Sequence, residues 1–312
     1  MFDVSTGVLA LAGRNGVSRY IVRPDKNNWA PRVGFAYQVN QKTTVRGGFG
    51  LFYDPANAFR DDVKFNPPFY RQVTQFDDGS GPVPSNWNFS SSGPPTLPDP
   101  GSFPTGYELF STDFNFRTGY SEQYSLAFQR ELPWQTLVEI AYVGSQAHKL
   151  PFRVNINQDL PDGTPQPFPS LGPIHSVENI ADMVYHSAQL KLEKRFSKTF
   201  FFLSSYTYSH SIDNATSSEL DSHGIQNIFD IAQNRGSSDW DIRHRLAFSY
   251  VYDLPIGRRH SFLVNASGAT NAILGGWQTT GLLVLSSGQP FTVVDGSGNP
   301  DFDSRPDLIG DP

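Results

Sequence analysis

A chain of 312 residues suffices for one large domain or two ordinary ones, yet its apolar share is 38% while aromatics reach 14%, with 25 Phe and 13 Tyr. The 30 acidic and 24 basic side chains leave a formal net charge of −6, which argues against a phosphate-neutralising surface and so against a nucleic-acid partner. Cysteine is absent, which suits an exported bacterial protein better than a reduced cytosolic enzyme, and no run approaches the roughly 20 apolar residues of a transmembrane helix.

The first segment, MFDVSTGVLALAG, lacks the basic start and continuous apolar stretch of a signal peptide. The chain is therefore expected either to stay unexported or to be a piece of something longer. Residues 32–54, RVGFAYQVNQKTTVRGGFGLFYD, alternate in character. Val33, Phe35, Tyr37 and Val39, then Val45, Phe49, Leu51 and Tyr53, oppose Arg32, Gly34, Ala36 and Gln38, then Thr44, Arg46, Gly48 and Gly50. A period of two predicts strands with unlike faces, here joined by a tight hairpin at 40–43. The glycines of RGGFG (46–50) fall mid-strand, so they predict close approach of neighbouring elements rather than a phosphate loop.

A long connection follows at 54–118, within which residues 77–106 are dense in Gly, Pro, Ser and Asp. It reads as a surface loop because strand signals resume directly after it; a linker between two domains is the other reading. Strands are next predicted over 120–132, where Tyr124, Leu126 and Phe128 alternate with Gln123, Ser125, Ala127 and Gln129. Over 136–146, Val138, Ile140 and Tyr142 oppose Glu139, Ala141 and Val143. A long loop is expected at 151–181. Then 187–196 sets Ala188, Leu190 and Leu192 against Gln189, Lys191, Glu193 and Arg195, and 200–211 sets Phe200, Phe202, Tyr206 and Tyr208 against Ser205, Thr207 and Ser209. After a third long loop, 215–239, residues 243–254 place Leu246, Phe248, Tyr250 and Tyr252 opposite Arg245, Ala247 and Ser249. A short helix is expected within 262–276, before a last strand in 277–293.

Eight strands are thus predicted, and their connections alternate between short and long. In an up-and-down sheet every second connection lies on the same rim, so one rim is bare and the other decorated. That asymmetry belongs to an outer-membrane barrel, whose strands need only about 9–11 residues with alternate ones apolar. The predicted fold is all-β: an antiparallel up-and-down transmembrane β-barrel segment of about eight strands, with long extracellular loops and short periplasmic turns. Trp134, Phe196, Phe200 and Trp277 beside short connections, and Trp29, Tyr53 and Phe291 near long ones, are placed to form aromatic girdles at the two interfaces. The aromatic side then faces lipid. The side bearing Arg46, Gln129, Glu139, Lys191, Glu193, Arg195 and Arg245 is expected to face a wet lumen, since each Arg or Lys on the lipid side would cost about 2–4 kcal/mol near the midplane. An open eight-strand sheet leaves two edges unpaired; closure as a small barrel is the alternative, although Gly48, Ala127, Ala141, Ser205 and Ser249 on the polar side suit a wider one.

Catalytic and metal chemistry finds little material. The histidines (148, 175, 186, 210, 223, 244 and 260) show no metal-ligand spacing. Asp295, Asp301 and Asp303 miss the spacing of a calcium loop, so they predict a solvated loop rather than a Ca²⁺ site. Glu139 and Glu193 could be imagined as a glycosidase pair, but Lys191 and Arg195 flank Glu193 on the same face, which predicts ion pairs instead. No enzyme activity, cofactor or resident metal is predicted.

Five blocks carry a resemblance. NWAPRVGFAYQVNQKTTVRGGFGLFYDP (28–55), YSEQYSLAFQREL (120–132) with EIAYVGSQAHKL (139–150), YHSAQLKLEKRFSKTFFFLSSYTYSHSID (185–213), DWDIRHRLAFSYVYDLPIG (239–257) and ILGGWQTTGLLVLSSGQPFTV (273–293) closely resemble the barrel of TonB-dependent outer-membrane receptors of the Oar-like group. The resemblance implies a 22-stranded barrel closed by a plug and active uptake of a solute. It also implies, as partners, outer-membrane lipid, an unknown solute ligand, and an inner-membrane TonB complex pulling on a short N-terminal box. Plug, box, signal peptide and closing aromatic residue are missing here, so residues 1–312 are expected to be an internal part of such a barrel domain. A soluble or surface-attached carbohydrate-binding β module is the alternative.

Overall fold

Eight long strands follow one another and pair with their neighbours in sequence, as the alternation predicts. The computed structural model describes residues 2–10, 13–14, 17–20, 22–54, 66, 108–159, 163, 165–197, 200–215, 225, 227–258, 261–265, 267–291 and 293. In chain order the elements are β1 (Phe2–Asp3), β2 (Val8–Leu9), β3 (Arg32–Asn40), β4 (Thr43–Asp54), β5 (Leu109–Thr112), β6 (Gly119–Leu132), β7 (Thr136–Asn155), β8 (Ile174–Ser197), β9 (Phe200–Asp213), β10 (Gly236–Ser237), β11 (His244–Asp253), α1 (Gly268–Leu274) and β12 (Gln278–Ser286). The main sheet runs β12-β11-β9-β8-β7-β6-β4-β3, antiparallel throughout. Strands β3 and β12 are its two edges and do not pair with each other, so the sheet is open.

One expectation needs correction. The loop foreseen at 151–181 contracts to 156–173, because β7 runs on to Asn155 and β8 begins at Ile174. The added part lies beyond a register shift spanning Ala147, Leu150 and Pro151, where Lys149 takes a φ of 55°. Proline is tolerated at such a bulge because no ladder N–H is required of it. Past the bulge, segments pack against the hairpin on both sides, so Phe152, Val154 and Val177 are buried without the alternation that marks a half-exposed strand. Asn157 holds the shortened loop, its amide donating to the Phe168 and Gly172 carbonyls while its oxygen accepts from Phe168 N.

Most of the predicted loop 54–118, including 77–106, lies outside the described residues, but its end is ordered against the hairpin. There β5 pairs in parallel with β8, Leu109 opposite Ile174. Part of 215–239 is likewise structured: residues 231–234 form a 3-10 turn and β10 pairs with β9. The expected short helix is α1, capped by Ser267 Oγ accepting from Thr270 N. Trp277 donates from its indole to the Ile273 carbonyl at its end.

The described dry core gathers entirely at the loop end. Phe2, Leu109, Leu171 and Ile174 form one cluster; Phe152, Val154, Ala181 and Ile225 a second; Phe116 and Val177 a third, with Val22 packed on it. Below the hairpin extension the sheet has no such interior, and every residue of β3 is exposed.

Candidate functional site

The register turns the alternation along each strand into rows across the sheet. One row reads Tyr37, Val45, Phe128, Ile140, Leu190, Tyr206, Leu246 and Leu285, one residue from each of the eight strands and none of them charged. The neighbouring row on the opposite face reads Gln38, Thr44, Gln129, Glu139, Lys191, Ser205, Ala247 and Val284. Tyr37 (65%), Ile140 (55%), Leu190 (39%) and Leu285 (54%) remain uncovered by protein. Val45, Tyr206 and Leu246 are half-exposed, and none of the eight is buried. Single exposed apolar residues are ordinary; an uncharged row with no buried member across a whole sheet marks a surface made for an apolar environment.

Rings on this face also close over glycines of the adjacent strand. Phe35 lies over Gly47, where a Cβ would fall 2.5 Å from the ring, and Tyr124 lies over Gly144, leaving less than 3.0 Å for one. Glycine is required there by the ring above it rather than by backbone conformation. The girdle residues Trp29, Trp134, Trp277 and Phe291 are all exposed, whereas the side chain of Phe196 lies outside the described residues.

Among the charged residues singled out from sequence, the fold brings four into two pairs. Arg46 reaches across β6, over the small Ala127 in its own row, to Glu139 at 2.5 Å. Lys191, whose register partner is Glu139, bonds Glu193 at 3.2 Å. Both carboxylates are thus engaged by cations, as the ion-pair reading requires. Gln129 stands between Thr44 and Glu139. Arg245 lies between Thr207 and Ser286, away from the two pairs. The side chain of Arg195 lies outside the described residues.

Spacing alone does not reveal a tier of tyrosines and histidines on the aromatic face toward the loop end. Tyr142 Oη bonds His186 Nδ1 at 2.7 Å, Tyr206 Oη bonds His244 Nδ1 at 2.8 Å, and His148 Nδ1 meets Asp182 at 3.0 Å. Nearby, Arg243 bonds His210 Nε2 and forms an ion pair with the buried Asp241, whose Oδ1 accepts from Ser211 N. No group of metal-ligating side chains occurs among the described residues; His223, His260, Asp295, Asp301 and Asp303 lie outside them.

At the loop end of β8, burial pushes the Glu178 carboxyl up from its ordinary range, against a hydrogen bond from Ser176 that lowers it. The hydrogen bond from His175 holds Glu108 below its own. A cavity of about 460 Å³ has Asp25, Asn28, Tyr53, Phe116 and Thr118 among the residues lining it.

An open antiparallel sheet with one apolar and one charged face, its chain crossovers elaborated at one end, is the wall of an outer-membrane β-barrel. The family model of the outer membrane beta barrel domain matches residues 1–312, and the chain belongs to that family; its place is the outer membrane. No curated protein matches the chain. Among solved structures, the outer membrane transporter YddB from Escherichia coli shares 11% identity over 88% of this chain and 32% of its own, with a TM-score of 0.50. The siderophore receptor PirA from Pseudomonas aeruginosa shares 12% identity over 72% of this chain and 30% of its own (TM-score 0.38). The FrpB iron transporter from Neisseria meningitidis shares 9% over 74% and 25% (TM-score 0.39). The chain spans a third or less of the length of each.

Proposed function

We propose that the chain is a wall segment of a TonB-dependent receptor of the Oar-like kind, whose loops capture a solute and whose lumen passes it inward by energy-coupled uptake. The observation that carries this reading is the uncharged row from Tyr37 to Leu285 backed by the row holding Glu139 and Lys191. Such a wall suits lipid on one side and water on the other. The polar face, with Arg46, Gln129, Glu139, Lys191, Glu193, Arg195 and Arg245, then lines the lumen. Ala127, Ala141 and Ser205 keep that face low, which suits a passage rather than a filled interior.

Further strands joined to the free edges of β3 and β12 would close the barrel, since an unpaired edge within lipid leaves backbone donors and acceptors unsatisfied. The reading also requires a plug and a box engaged by TonB, supplied by other parts of a longer protein. The test is fractionation and uptake. The protein should partition with the outer membrane and migrate heat-modifiably in detergent gels, and uptake of its solute should stop when TonB is removed. Recovery in the aqueous fraction, or uptake indifferent to TonB, would overturn the proposal.

A further inference from the structure

The connection from β11 to β12 lies at the rim where β3 joins β4 and β6 joins β7 by short turns, and it is the longest on that rim. Polar contacts set its shape. Gly257 N donates to the Phe262 carbonyl and Phe262 N to the Pro255 carbonyl, both at 2.9 Å. Asn271 Oδ1 accepts from Arg258 N at 2.7 Å, which ties this loop to α1. Glycine is required at the junction, since Gly257 takes a φ of 118° and a Cβ there would fall 2.9 Å from Gly275 Cα.

On this scaffold the usual order of a helix is turned over. A helix packed on a protein core hides its apolar side and shows its polar one. In α1 no residue is buried; Thr270 and Asn271 are the half-covered positions, whereas Ile273 (68%) and Leu274 stand exposed. The loop beside it repeats the inversion, with Phe262 (63%), Leu263 and Val264 all exposed.

Trp277 decides which side of the wall carries this surface. Its carbonyl accepts from Leu254 N at 2.8 Å, which carries the β11–β12 ladder on to it. It keeps step with Leu283 and Leu285 and so belongs to the uncharged face. Its indole in turn holds the Ile273 carbonyl at 2.8 Å. The bare apolar residues of the connection therefore continue the lipid-facing wall at its lower end, where headgroups begin and an indole is at home. That continuity favours lipid over protein as their cover.

We infer that the β11–β12 connection is an interfacial anchor, lying on the periplasmic leaflet with Phe262, Leu263, Ile273 and Leu274 entering the boundary between phospholipid headgroups and acyl chains. The inference goes beyond transport and rests on the part of that reading that gives the uncharged face to lipid.

The test places single bimane labels in the intact outer-membrane protein to which these residues belong, reconstituted in phosphatidylcholine vesicles. The 312 residues hold no cysteine, so Ile273→Cys, Leu263→Cys and, on the wall, Leu190→Cys give unique sites once any cysteine elsewhere in that protein is changed to serine. Heat-modifiable migration shows that each variant has folded. The vesicles carry lipid brominated either close to the headgroup or close to the end of the acyl chain. The labels at 273 and 263 should be quenched at least twofold more by the shallow bromine than by the deep one, and iodide should quench them less than half as strongly as it quenches the free dye. The label at 190 should show the opposite order of bromines. Iodide quenching equal to that of the free dye, no preference for the shallow bromine, or shielding from iodide without quenching by lipid, which marks a covering protein, would overturn the inference. Any of these beside a lipid-quenched label at 190 defeats the anchor alone, whereas a label at 190 that lipid does not quench defeats the wall reading beneath it.

Discussion

Replacing Leu190 by arginine asks which solvent touches the aromatic face. Leu190 sits between Ile140 and Tyr206 in the uncharged row, and it is 39% exposed with no protein layer over it. The rows holding Val138, Leu192 and Phe248 lie toward the short turns, and those holding Leu126, Tyr142 and Tyr208 toward the loops, so Leu190 is near the middle of the apolar belt. On a lipid-facing wall Leu190→Arg should cost about 2–4 kcal/mol, roughly a 30- to 900-fold loss in the folding equilibrium. In water the same exchange at an exposed site would stay within about 0.5 kcal/mol. Gln189→Arg, one residue back along β8, puts the same charge on the opposite face, opposite Ala141 and Thr207, and should cost less than about 1 kcal/mol. Equilibrium unfolding by guanidinium from lipid vesicles, followed by tryptophan fluorescence, measures both. If Gln189→Arg proved the costlier of the two, or Leu190→Arg were neutral, the assignment of faces would be reversed or wrong.

Three further outcomes are expected. A double-mutant cycle of Arg46→Ala and Glu139→Gln should give a coupling of about 0.2–1 kcal/mol that shrinks in high salt, because the side chains are 48% and 26% exposed; chemical denaturation at two salt concentrations measures it. Gly144→Val should force the Tyr124 ring aside and cost about 1–3 kcal/mol, with Tyr124→Ala in the same chain recovering part of the loss in thermal melts. Glu178 is raised by burial, so it contributes stability below its unfolded range that is lost as pH rises through its folded value. Glu178→Gln keeps an acceptor for Ser176 and should flatten that decline, seen as a smaller fall in hairpin protection from hydrogen exchange between acidic and neutral pH.

What could be read from sequence was whatever repeats every second residue. Residues 187–196 display Leu190 and Leu192 against Lys191 and Glu193 because β8 is a regular strand that turns them to opposite faces, Leu190 into the uncharged row and Lys191 into the row with Glu139. The pattern therefore survives in one dimension, and with it the side on which Arg46 and Glu139 lie. The stretch HKLPFRVN (148–155) fails the same test for a physical reason: Phe152 and Val154 are covered by protein, and the bulge at Pro151 resets the phase. The parallel pairing of LFST (109–112) with β8 is too short and too remote to leave a signature. The ion pair of Arg46 with Glu139 and the bond of Thr118 N to Asp25 each span 93 residues, so both depend on a register no local pattern encodes.

The placement of every described buried cluster around the outer half of the β7–β8 hairpin has a mechanical meaning. That half is held by protein touching protein, and the lower wall by the medium surrounding it. Changes in bilayer thickness or composition therefore strain the wall while leaving the crown above it in shape, as a mast stands whatever the draught of the hull.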